Sequence, residues 1–131
     1  MNKKTGILLL GHGSTRPHNR ELVENVAKMI ADQKNVLVRI AFLGMDKPDL
    51  KDGLESFKGT DVTRIVALPL FLAHGVHTLK DIPGELNLGD DKKAVVDIGG
   101  KSVEVLYAEP LGADPRIAEI AYSRAEEALA R

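Results

Sequence analysis

The chain contains no cysteine, which rules out disulfides, thiolate metal sites and cysteine nucleophiles and suits a reducing compartment. It also lacks any surplus of positive charge. Its 18 Lys and Arg stand against 19 Asp and Glu, for a formal net charge of −1. A domain that grips phosphates carries a basic excess, so nucleic acid is not expected as a partner. No apolar run approaches the ~20 residues of a membrane span. The opening MNKKTGILLLGHG is basic then apolar, like a secretory signal. Its apolar part is too short for one and leads straight into chemistry-bearing residues, so it reads as a first strand. The expectation is a soluble, cytoplasmic protein without a membrane partner. Linkers, low-complexity segments and long charge runs are missing as well, and 131 residues suit one domain, 1–131, with one core.

What is present alternates between strand and helix patterns. Residues 6–10 (GILLL), 36–43 (VLVRIAFL) and 64–72 (RIVALPLFL) are apolar runs of the kind found in strands buried on both faces. Pro69 is awkward for the third if it is central. Between them, Leu22, Val23, Val26, Ala27 and Ile30 recur at helical spacing from about Arg20 to Gln33. Pro48 opens a short helix through Leu50, Leu54 and Phe57 that Gly59 ends. A further short helix follows His77, where Thr78 and Asp81 have capping-box spacing. Residues 94–107 hold two β-rich runs around Gly99–Gly100, which predicts a hairpin. The last helix begins near Asp114–Pro115 and gathers Ile117, Ile120, Ala121, Ala125 and Ala128 on one face. This order predicts an α/β layer fold with a mostly parallel sheet.

In such a sheet the strand carboxyl ends share one edge, and ligands bind outside that edge. His12 follows the first strand, and His74 and His77 follow the third, so loops about sixty residues apart are expected to converge. Gly11, Gly13 and Gly75 would let the backbone bend and a bulky ligand come close. His18 lies among polar residues and reads as a surface side chain. Several chemistries lack their motifs: there is no G-x-x-x-x-G-K-[ST], no G-x-G-x-x-G with a following acid and no G-x-S-x-G. A phosphohistidine mechanism would want arginine before the first histidine, where Gly11 stands. Metal binding and proton transfer by imidazole remain. Spacing alone does not separate His74 from His77.

Three blocks, LLLGHGSTRPHNREL, LPLFLAHGVHTLKDIP and AEPLGADPRIAEIAYSRAEEAL, give the chain a resemblance to a known family. It resembles the short archaeal class II tetrapyrrole chelatases, which insert cobalt or nickel into sirohydrochlorin. FLAHGVHT and EPLGAD are most similar to the nickel-inserting members that serve the nickel tetrapyrrole of methanogenesis. The resemblance implies a single-lobed, three-layer chelatase fold, with a mostly parallel central sheet flanked by helices. It also implies ATP-independent insertion of Ni²⁺ or Co²⁺ as substrate metal, with no tightly bound cofactor. His12 and His77 would be the metal ligands, His12 would accept a pyrrole proton, and His74 would line the pocket. Leu72, Ala73, His74, Gly75, Val76 and His77 would contact substrate, together with Ser14, Thr15 and Arg16, which would meet its acetate and propionate groups. Lys47 would be a further substrate contact, at a position where some relatives carry Glu. A homodimer with its cavity between subunits is implied too; Phe42, Met45 and Phe71 read as interface or core. The competing reading is a non-catalytic nickel, cobalt or tetrapyrrole carrier.

Overall fold

Leu8, Leu9 and Leu10 are all 0% exposed. Successive strand residues point to opposite faces, so the first strand must be covered on both sides. The computed structural model describes residues 4–14, 16–44 and 46–131. Its five strands are β1 (Thr5–His12), β2 (Leu37–Leu43), β3 (Arg64–Pro69), β4 (Lys93–Ile98) and β5 (Lys101–Tyr107). They form one sheet in the order β2-β1-β3-β5-β4. The pairs β1–β2, β1–β3 and β3–β5 are parallel, and β4 runs antiparallel to β5. The expected hairpin is therefore present. Gly99 and Gly100 both take positive φ at its turn, 59° and 84°, as tight hairpin turns require.

One face of the sheet presents Leu8, Leu10, Ala41, Ile65, Ala67, Val103 and Val105. They pack against Leu50 and Phe57, from α2 (Leu50–Glu55) and the turn after it, and against Ile82 and Leu86 of α3 (Ile82–Leu86). The opposite face packs Leu9 and Phe42 against Val23 and Ala27 of α1 (Pro17–Lys34). Phe42, 1% exposed, and Phe71, 9% exposed, are thus core residues. Met45 lies outside the described residues. The last helix, α4 (Pro115–Leu129), has its predicted apolar stripe but buries no residue. On α1's side of the sheet, Leu68 packs at the edge of that second cluster but stays half-exposed, as do Val66 and Leu106, so among the described residues the β3–β5 half is only partly covered there.

Several boundaries differ from expectation. Helix α1 begins at Pro17 rather than Arg20, because proline pre-sets the first helical φ even where the side chains are polar. Helix α2 begins after Pro48, since Asp49 and Asp52 form a reciprocal capping box. Strand β3 stops at Pro69, two residues beyond its last pair with β5, Ala67 opposite Tyr107. Proline's missing N–H therefore falls where no ladder bond is needed. The segment His77–Asp81 is a π-helix that runs into α3. Thr78 and Asp81 do not cap it: the Thr78 hydroxyl bonds the backbone of Gly75, and Asp81 bonds His77.

Candidate metal centre

His12 is the last residue of β1, and His77 opens the π-helix eight residues beyond Pro69. Their ring centres lie 5.4 Å apart at an interplanar angle of 67°. An ion held about 2.1 Å from a ring nitrogen, as divalent zinc is, lies roughly 3.2 Å from that ring's centre. Two rings sharing such an ion can thus be at most about 6.4 Å apart, and the observed pair fits with its rings bent toward one point. The convergence predicted from the two loops is realised.

Each imidazole is held differently. The His12 ring stacks on Phe71, with centres 4.1 Å apart and planes at 21°. Among the described residues none hydrogen-bonds its nitrogens. Desolvation against this apolar floor, and then the neighbouring His77, lower its pKa from the usual imidazole value. It therefore stays neutral, with a lone pair to offer, further into acid than a free imidazole. His77 is fixed by a hydrogen bond, Nδ1 to Asp81 Oδ2 at 2.8 Å. Among the described residues no cluster of three His, Cys, Asp or Glu side chains is placed to hold a metal. Two imidazoles leave most coordination positions open to water and to an incoming ligand, which suits an ion in transit.

The turn that carries His12 is built by contacts the sequence did not announce. The Asn19 side-chain amide donates to the His12 carbonyl, and the Arg20 guanidinium donates to the Lys47 carbonyl. Arg20 also lies 4.5 Å over the Phe42 ring. The Ser14 N–H donates to Asp46 Oδ2 at 2.7 Å. Gly13 must be glycine for space: a Cβ there would lie 2.2 Å from the Leu43 carbonyl oxygen. Gly11 would meet Val23 at 2.6 Å. The sequence predicts backbone bending and ligand approach at these glycines; the close approaches found are to the protein itself. Gly75 has no strained φ and open space around it, so nothing in the fold demands glycine there.

The remaining candidates divide. Leu72 and Val76, in the loop that leads to His77, are 62% and 67% exposed, and Leu79, 61% exposed, lines a separate hollow with His74, Thr78 and Tyr107. Leu72, Ala73 and His74 border a hollow of about 430 Å³ with Glu109, Pro110, Gly112 and Ala113, so the EPLGAD block reaches the same edge. Backbone bonds from Leu111 to Phe71 and from Gly112 to Leu72 tie it there. His74 points away from the pair into a network of its own: Nε2 to Glu109 at 2.7 Å and Nδ1 to the Thr78 hydroxyl at 3.1 Å. Lys92, then His74, lowers the pKa of Glu109, and Tyr107 donates to the Thr78 carbonyl. Ser14 accepts the Arg16 N–H through its hydroxyl, and Arg16 is exposed. Lys47 reaches the same edge with its ammonium on Asp49 at 2.8 Å and Asp52 at 3.5 Å. Thr15 lies outside the described residues, and His18 is exposed on α1.

The CbiX family model matches residues 6–128. This chain belongs to the CbiX family. A relative named sirohydrochlorin cobaltochelatase, from Methanosarcina acetivorans, is 46% identical over 130 residues, covering 98% of this chain and 100% of the relative. Among solved structures, the crystal structure of a Marinobacter aquaeolei VT8 protein assigned to cobalamin biosynthesis as CbiX superposes with a TM-score of 0.71. It is 28% identical, with 97% of this chain and 98% of that one covered. The sirohydrochlorin chelatase SirB of Bacillus subtilis subspecies spizizenii, solved with cobalt, shares the fold at a TM-score of 0.75 and 24% identity. There 95% of this CbiX chain covers 50% of SirB, so it spans about half of that structure.

Proposed function

We propose that this CbiX-family chain inserts a divalent metal into sirohydrochlorin without ATP, taking nickel in preference and cobalt as well, as a cytoplasmic homodimer. The observation that carries the reading is the 5.4 Å approach of the His12 and His77 rings at the edge where α/β sheets bind ligands. Nickel stands above cobalt in the order of affinity for nitrogen ligands, so at equal availability the imidazole pair favours nickel.

His12 and His77 hold the hydrated ion, and the flat macrocycle lies over the exposed apolar side chains of Leu72 and Val76. Arg16 and N–H groups of the 72–77 loop other than that of Gly75, which donates to the Thr78 hydroxyl, meet its carboxylates. As pyrrole nitrogens replace water on the ion, two N–H protons must leave. His12 releases the metal and takes one of them, directly or through water, and the other passes to solvent water. One nitrogen cannot hold metal and proton together, so the two roles are sequential. The dimer reading is supported by α4, whose apolar stripe is bare, and by the partly covered β3–β5 half-face, which a partner's α4 would fill.

The test is to mix protein at a hundredth of the sirohydrochlorin concentration with Ni²⁺ or Co²⁺ and follow the absorption change. Many turnovers per chain, lost in His12→Ala and His77→Ala variants that still fold, are expected. A single stoichiometric binding step without turnover would instead make the chain a carrier.

A further inference from the structure

We infer that Asp81 is a positioning residue that locks the His77 ring with its proton on Nδ1 and its lone pair on Nε2, dividing the labour between the two histidines. This rests on the chelatase reading and adds a role to a residue that reading leaves without one. The geometry is a hydrogen bond of 2.8 Å from His77 Nδ1 to Asp81 Oδ2, between side chains 40% and 46% exposed. A carboxylate only accepts, so the ring must donate there, which leaves Nε2 as the nitrogen with a free lone pair.

The backbone holds this arrangement from beneath. The π-helix His77–Asp81 closes with the Ile82 N–H on the His77 carbonyl, the wide turn that recurs at functional sites. Its inner residue, Thr78, is 1% exposed. The Thr78 hydroxyl is tied to Gly75 and its carbonyl accepts from the Tyr107 hydroxyl at 2.9 Å. With the inner side pinned, His77 and Asp81 project together from the outer side. His12 is the opposite case, carried on a buried strand with no hydrogen bond from a described residue to its ring. His77 is thus the constant holder of the ion, and His12 the ring that is free to turn away. Carboxylate partners of ligating histidines generally set tautomer and orientation, and losing them costs about ten- to a hundredfold in metal affinity.

The experiment uses the full chain free of metal, and then with Co²⁺ alone. Nitrogen-15 NMR of the wild-type His77 ring should show the Nδ1-protonated form. Asp81→Asn keeps the shape, but its amide can donate as well as accept, so the preference should be lost. Calorimetric Co²⁺ affinity should fall about ten- to a hundredfold with little change in melting temperature, and Asp81→Glu should recover part of it. If Asp81→Ala fails to fold, Asp81→Asn decides. A wild-type ring protonated on Nε2, or an Asp81→Asn affinity within twofold of wild type, overturns the inference even if wild-type turnover is intact. Tight Co²⁺ binding that depends on Asp81 without any turnover leaves the inference standing and overturns the chelatase reading instead.

Discussion

At the scale of single residues, the site is decided by what each imidazole leans on. The lowered pKa of His12 has two causes, burial first and His77 second, and they can be separated. In the metal-free chain, proton NMR should place the His12 midpoint below the usual value of about 6.5. In His77→Ala, where the second cause is gone, the midpoint should rise but stay below that value. A His12 that titrates normally in both proteins would remove the apolar floor from the account. The two histidines were legible in the sequence because each follows an apolar strand run, and the choice of His77 over His74 came from the motif around it. Phe71, Asn19, Arg20 and Asp46 were not legible. Their roles arise from contacts across loops that no local pattern encodes, such as Ser14 with Asp46 32 positions away.

Among the elements, α2 fits closely against the sheet. A Cβ on Gly53 would lie 2.8 Å from both the Ala41 Cβ and the Leu8 Cδ1. Both neighbours are 0% exposed and cannot retreat. Gly53→Ala should therefore destabilise the fold by about 1–3 kcal/mol in chemical denaturation, although alanine is the better helix former. The start of the same helix carries a pH dependence. Lys47, and then the Asp52 backbone N–H, hold Asp49 down to about 2 from its ordinary 3.8. A depressed carboxylate contributes stability that is complete above its ordinary value and disappears as pH falls through the lower one. Asp49→Asn should thus melt at a lower temperature than wild type at pH 7, and the gap should close between about pH 4 and pH 2. Element types were readable from periodicity throughout. Starts were missed where proline or a capping box acts without apolar residues, and the π-turn was missed because its spacing mimics an ordinary helix over five residues.

For the molecule as a whole, the unburied α4 matters most. A 15-residue helix is marginal in water without a packed face, and Ile120 and Leu129 are 54% and 83% exposed. Light scattering should give a dimer for wild type. Ile117→Asp with Ile120→Asp should give a monomer with α4 helicity lost, the sheet retained and metal insertion abolished. Wild-type protein that runs as an active monomer would refute the exchange of α4. The sequence disclosed the stripe but not its destination, because periodicity specifies that a face is apolar without saying whose surface covers it.

The contrast between the two metal-facing rings also bears on speed. His12 sits at the end of β1 on backbone paired with Leu43 of β2, so in the proposed mechanism letting go of an ion needs only a rotation about its side-chain bonds and the sliding of one ring off Phe71. Exposed side chains make such rotations in picoseconds to nanoseconds. No lid has to lift and no strand has to part. Catalytic rate should accordingly be insensitive to solvent viscosity unless departure of the finished macrocycle governs it.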